Sequence, residues 1–281
     1  MARTLNLIGA GHVGRVLGRL FAATGAFAVQ DVLTRSQAGA QDAVGFVKAG
    51  RAVPSMDRMR SADVWMLAVG DDQIGPVCAQ LARCQPLQGA IVFHCSGARS
   101  AAELAPATQA GALAASVHPI RSFADPAQVA RHFGGTFCGI EGDCAALAVL
   151  TPALEAIGAQ PVPIDAQAKT VYHAASVFAS NYLVTVLDAA LRAYQAAGVP
   201  EPVARALAQP LASESMANVF RLGAAAALSG PIARGDMDTV ARQQAALAAW
   251  DGPTGALYAA LVAATADLAL RKMEHNGKDK T

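Results

Sequence analysis

Leu5-Asn6-Leu7-Ile8-Gly9-Ala10-Gly11-His12-Val13-Gly14 decides the fold of this 281-residue chain. Leu5 to Ile8 reads as a short apolar strand. Val13, Val16, Leu17, Leu20 and Phe21 then repeat at helical spacing. Between them the glycines fall in a G-x-G-x-x-G pattern. Gly9 permits a tight turn, Gly11 lets a pyrophosphate approach the backbone, and Gly14 lets the helix pack closely on the strand. His12 and Val13 open the helix, whose unpaired N–H groups and dipole favour phosphate. The competing reading is a glycine turn in some other α/β protein.

Outward from that turn, strand and helix signals alternate. Strands are expected at Thr4–Ile8, Phe27–Thr34, Val64–Val69, Ala90–Cys95, Ala112–His118, Phe133–Ile140 and Pro161–Ile164. Helices are expected at Val13–Ala23, Ala38–Lys48, Ile74–Ala82, Ser100–Ala105 and Ala145–Ile157, with Asp71 or Asp72 as N-cap of the third. This alternation implies a Rossmann-type, doubly wound, mostly parallel α/β sheet over residues 1–164. Beyond Ile164 the strand signals vanish. Helices over Ala166–Ala197, Pro202–Leu228, Met237–Trp250 and Pro253–Met273 make residues 165–281 an all-α domain, with a frayed polar tail from His275.

Bulk properties narrow the partners. A net charge of +1 supplies no field for nucleic acid or an anionic membrane. Five cysteines without a C-x-x-C pair or metal-ligand spacing fit reduced thiols in a cytoplasmic protein, and no signal-peptide pattern opens the chain. Val171 to Leu191 is apolar enough to suggest a membrane span, but it carries His173, Asn181 and Asp188. Charge at bilayer depth is costly, so a helix buried within a domain or a dimer is expected instead.

The end of the second strand bears on the nucleotide. An acid there binds the ribose 2′-OH of NAD, and an arginine accommodates the 2′-phosphate of NADP. Here the strand ends Thr34-Arg35-Ser36, and Asp31 lies three residues earlier, inside the strand. A guanidinium with two hydroxyls suits a phosphate dianion, so NADP is expected over NAD; otherwise Arg35 is a solvated loop residue. Val69 and Gly70, which close the Val64 strand, and Ser96 are expected beside the cofactor, because ligands bind at the carboxyl ends of such strands.

Two further stretches carry candidate chemistry. On the helix after Ile164, Lys169, His173, Ser176 and Ser180 fall within an arc of roughly 60°. Such a stripe is either a substrate-facing wall or a set of satisfied hydrogen bonds at a domain junction. Lys169 and His173 are the candidates for polarisation and proton transfer. Ser96, His118, Ser176 and Asn181 would line the site. In the run Ser229 to Asp236, Arg234 would grip a substrate carboxylate, or else pair with Asp236 while Asp236 caps the next helix.

Several stretches occur in a telling order: the glycine turn, Thr34-Arg35-Ser36, His94-Cys95-Ser96-Gly97, Ser116-Val117-His118-Pro119, the Lys169…Tyr172-His173…Ser180-Asn181 helix and the loop Gly230 to Asp236. Together they resemble a bacterial family of Rossmann-like NADP oxidoreductases with a helical C-terminal domain. Its relatives are pyrroline-5-carboxylate reductase, 3-hydroxyisobutyrate dehydrogenase, ketopantoate reductase and prephenate dehydrogenase. The resemblance implies hydride transfer to or from a small carbonyl, imine or alcohol substrate, and a homodimer formed through the helical domain. Lys169 matches the catalytic lysine of the hydroxyisobutyrate enzymes, but His173 stands where they have an asparagine. Ser96 and His118 resemble in placement a serine and a histidine of prephenate dehydrogenases. The reading from another class is an NADP-binding sensor or scaffold without chemistry.

Overall fold

The structure, a computed structural model, describes residues 2–278. Its core is one sheet of eight strands in the order β3-β2-β1-β4-β5-β6-β7-β8. In chain order the first part runs β1 (Thr4–Ile8), α1 (His12–Thr24), β2 (Ala28–Leu33), α2 (Gln37–Val47) and β3 (Arg51–Ala52). Next come β4 (Val64–Leu67), α3 (Ile74–Cys84), β5 (Ile91–His94), α4 (Ala105–Gln109) and β6 (Leu113–Pro119). The remainder of the sheet unit is α5 (Pro126–Arg131), β7 (Phe137–Gly142), α6 (Cys144–Ala156), β8 (Gln160–Pro163) and α7 (Lys169–Val177). All neighbouring strands are parallel except β6 and β7.

The apolar runs explain this topology. All four residues of β4 and all four of β5 are buried, as expected for parallel strands covered on both faces. One core cluster gathers Leu5, Leu7, Leu17, Phe21, Met66 and Phe93; the other holds Ile8, Trp65, Leu67, Ile74, Leu81 and Val92. Successive residues of one strand thus enter different clusters, as a period of two requires. In α1 the buried positions Gly14, Leu17, Gly18 and Phe21 recur at helical spacing, and Gly25 ends the helix in the left-handed region at φ 70°.

One expectation for this unit is corrected, and another is given its structural reason. Asp71 and Asp72 do not cap α3: Asp71–Gln73 forms a 3-10 turn, and α3 follows Gln73 without a side-chain cap. Asp31 is not available to a ribose. It is fully buried, accepts from Arg60 at 2.8 Å and from Arg51 at 3.2 Å, and so ties β2 to β3 and to the segment before β4. Burial pushes its carboxyl up, but the hydrogen bonds from Arg60 and Arg51 outweigh this and hold it below the usual carboxylate range.

The chain forms two compact units, Met1–Ser180 and Asn181–Thr281. The division falls beyond the change of composition at Ile164 because α7 packs against the sheet. The second unit comprises α8 (Leu183–Ala196), α9 (Glu201–Leu222), α10 (Ala224–Ala227), α11 (Met237–Trp250) and α12 (Gly252–Lys278). Gly223 separates α9 from α10 where one helix was expected. The tail expected to fray from His275 is helical as far as Lys278, and residues 279–281 lie outside the described residues.

Helix Lys169–Ala196 is not buried as expected within its own chain. Val171 is 76% and Phe178 68% exposed, and the most apolar stretch has no buried residue. A π-helical turn, Phe178–Tyr182, joins its two α-helical parts. By length and composition this helix and Gly252–Lys272 are each long and apolar enough to cross a membrane, which is weak evidence by itself.

Candidate active site at the carboxyl ends of β5 and β6

The glycine turn has the geometry a dinucleotide requires. Gly9 sits at φ +83°, and a Cβ there would lie 2.5 Å from the Ala68 carbonyl oxygen. A Cβ on Gly14 would meet Ala68 Cβ at 2.7 Å, so this glycine sets the approach of α1 to β4. A Cβ on Gly11 would meet nothing within 4 Å, and Gly11 caps α1 without any side-chain hydrogen bond. The first N–H groups of α1 thus have no capping side chain at Gly11, and such unpaired groups suit phosphate oxygens. Val69 borders the turn, since its Cγ1 lies 2.7 Å from the Cβ position of Gly9, and Gly70 follows. Val13 packs on the core, and the exposed His12 bonds through Nδ1 to the Phe123 carbonyl at 2.6 Å.

At the end of β2, Ser36 caps α2 by accepting from Gly39 N–H at 3.1 Å, and Thr34 Oγ1 donates to the Ser36 carbonyl at 2.8 Å. Both hydroxyls therefore already have local partners. Arg35 is exposed and belongs to none of the ion pairs found among the described residues.

The polar cluster is built by register. In the antiparallel pair β6–β7, Ser116 lies opposite Glu141 and His118 opposite Gly139. Helix α7 lays Lys169 and Tyr172 across these two pairs. Lys169 is 2% exposed; its Nζ donates to Glu141 Oε1 at 3.0 Å and to Ser116 Oγ. Glu141 also accepts from the Ala101 N–H at 2.9 Å, and Ser116 Oγ donates to the Ser96 carbonyl at 3.3 Å. Burial lowers the Lys169 pKa, with Glu141 acting against that shift.

One turn along, Tyr172 OH lies 2.9 Å from His118 Nδ1. A Cβ on Gly139 would stand 2.4 Å from that phenol oxygen, so only glycine leaves room for it. His173 lies beside His118, with ring centroids 5.5 Å apart. Both rings close over Gly97, where a Cβ would meet His173 Cδ2 at 2.2 Å and His118 Nε2 at 2.7 Å.

Below them, Ser96 Oγ accepts from the N–H groups of Ala98 and Arg99 at 3.1 and 3.0 Å. The buried His94 accepts at Nδ1 from Ser96 N–H and donates from Nε2 to the Ser100 carbonyl, which fixes its tautomer.

Burial pushes the His118 pKa down to about 4, with repulsion from His173 and Lys169 adding to it, and lowers His94 in the same direction. A base whose folded pKa lies below its unfolded value resists protonation when folded. Its contribution to stability is therefore complete above the unfolded pKa and is lost as pH falls toward the folded one. For His118 the window runs from 6.5 down to about 4 and corresponds to about 3 kcal/mol at most. His118→Gln should flatten the acid limb of stability across that window, as read from urea midpoints at pH 7 and 4.5; His94 retains its own part.

The structure thus brings together Ser96, His118, Lys169 and His173. Ser176 follows on α7, half-buried. Asn181 and Arg234 belong to the second unit, where both are exposed. There Asp236 caps α11 by accepting from the Thr239 N–H at 3.2 Å, and no ion pair joins it to Arg234 among the described residues. Sequence reasoning gave no role to Glu141, Ser116, Tyr172 or Gly97. For Glu141 a signal existed: an acid inside the apolar run Phe137 to Gly142. Among the described residues no group of three or more potential ligands could hold a metal ion.

Comparison with known proteins places these features. Residues 2–119 match the model of a Rossmann-like domain, and residues 136–265 match a domain of unknown function, DUF2520. No curated protein matches the sequence. Among solved structures, protein TM1727 from Thermotoga maritima is 26% identical with a TM-score of 0.71, over 96% of this chain and 100% of that one. BF3122 from Bacteroides fragilis, a proposed NADP oxidoreductase, is 18% identical with a TM-score of 0.79, over 95% and 98% of the two chains. A reductive aminase from Aspergillus terreus, solved in complex with NADPH and ethyl-5-oxohexanoate, is 14% identical with a TM-score of 0.66, over 98% and 95%. Along the chain, a match to the Rossmann-like model is thus followed by a match to the DUF2520 model.

Proposed function

We propose that this chain is a cytoplasmic NADP-dependent oxidoreductase that moves a hydride between the nicotinamide and a small carbonyl, imine or alcohol substrate. One observation carries the reading. His118, His173 and the Lys169–Glu141 pair converge at the carboxyl ends of β5 and β6, on the same sheet edge as the glycine turn that follows β1. NADP is favoured over NAD because Asp31 is held by two arginines while Arg35 remains exposed at the end of β2.

A bound NADPH supplies the hydride. The chain's own groups hold the substrate and handle the proton. His173 and His118 face the reacting atoms, with His173 as proton donor. Lys169 acts from beneath as a positioning residue, holding Ser116 and Glu141 and through them the segments at Ser96 and Ala101. The polarising role expected of Lys169 thus moves to the imidazole above it.

The second unit serves as a homodimer surface. Phe220 is 89% exposed, and α8, α11 and α12 leave an apolar hollow of about 190 Å³ lined by Val186, Ala190, Leu257 and Leu261. A second copy covers such a surface more readily than lipid, given Asp188 and Arg192 on α8.

The test is NADPH consumption across a panel of keto and imino substrates, with sedimentation measured on the same preparation. Turnover by a dimer is expected. Arg35→Ala should weaken NADPH about tenfold, as loss of one charge-assisted contact would, and leave NADH unchanged. Tight NADPH binding without turnover on any substrate would instead support a sensor or scaffold.

A further inference from the structure

Tyr172 OH lies 2.9 Å from His118 Nδ1, and the two rings meet edge to face at 88°. On the β7 side the phenol oxygen sits in the space left by the missing side chain of Gly139, whose Cβ position would lie 2.4 Å from it. Burial raises the phenol pKa to about 12, so the oxygen keeps its hydrogen. A neutral phenol is a stronger donor and a weaker acceptor than an imidazole nitrogen, so the pair favours the phenol donating to Nδ1 over the reverse. With the phenol donating to Nδ1, the imidazole hydrogen sits on Nε2, which has no hydrogen-bond partner among the described residues. That edge of the ring lies against Gly97, whose missing side chain makes room for the ring itself: a Cβ there would stand 2.7 Å from Nε2.

We propose that Tyr172 fixes the tautomer of His118, so that His118 presents a neutral, otherwise unpartnered Nε2–H to the substrate's carbonyl oxygen or imine nitrogen beside Gly97. The proposal rests on the oxidoreductase reading for its substrate, but not for the tautomer. His118 then stabilises charge that develops on the substrate atom as a fixed hydrogen-bond donor, and it keeps its proton throughout. Tyr172 is a positioning residue in this arrangement. His173, on the other side of Gly97, is left to supply the proton.

Nitrogen-15 NMR of the histidine-labelled full chain tests this, with the His118 signals assigned by their loss in His118→Gln. The expected spectrum shows Nδ1 bare and Nε2 protonated near neutral pH. In Tyr172→Phe the same ring should show a mixture of tautomers. Turnover number should fall about 10- to 100-fold, with KM and NADPH affinity nearly unchanged. A wild-type ring protonated on Nδ1 or on both nitrogens overturns the proposal, as does a Tyr172→Phe chain with unaltered tautomer and turnover. If Tyr172→Phe fails to fold, the wild-type spectrum still decides which nitrogen carries the proton. A wild-type chain with the expected tautomer that oxidises no NADPH on any substrate overturns the oxidoreductase reading while leaving Tyr172's hold on the ring intact.

Discussion

Lys169→Met is expected to lower the unfolding free energy by about 3–5 kcal/mol, the usual cost of removing one partner from a buried ion pair. Glu141 would keep its hydrogen bond from the Ala101 N–H, but its charge would lose its counter-ion inside the sheet unit. The double variant Lys169→Met with Glu141→Leu should recover most of that loss, because apolar replacement of a whole buried pair is often close to neutral. Recovery should fall short by about 1 kcal/mol, since the Ala101 N–H then has no acceptor. Urea unfolding of the wild type, Lys169→Met, Glu141→Leu and the double variant measures both effects. Equal losses in the single and double variants would show that Lys169 matters through packing and not through charge.

Gly97→Ala should leave the chain folded and NADPH bound, yet reduce turnover about 100-fold or more. A methyl group there would collide with His173 Cδ2 and His118 Nε2, and both rings would have to retreat. Displacing catalytic groups by about 1 Å can cost a factor of about 100 in rate. The collision involves side chains, which can move, so stability should change far less than activity. Comparing the thermal midpoint with the turnover number separates the two effects. A variant of normal activity would remove the two histidines from the reaction.

Some of this was legible in the sequence for local reasons. Strand Thr4–Ile8 and helix Met237–Trp250 match their expected limits, because a glycine bounds the first and Asp236 caps the second. Strand β3 escaped notice because two residues, Arg51 and Ala52, carry no period. Short helix α5 did too, although Asp125-Pro126 is a standard helix start. The cluster was half legible. His118, Lys169 and His173 stand out by residue type at strand and helix ends. Their working partners depend on the antiparallel register of β7 against β6, which sets Glu141 beside Ser116 and Gly139 beside His118. That pairing is non-local, and no local pattern announces it.

The clamp on His94 has a consequence for the reaction. Its ring joins the Ser96 N–H to the Ser100 carbonyl, while Ser96 Oγ gathers the next two N–H groups. The floor beneath the imidazoles of His118 and His173 is therefore tied down by hydrogen bonds before any substrate arrives. Water would have to reorient around a forming charge, whereas these dipoles are already set. The loop contributes by having little left to reorganise.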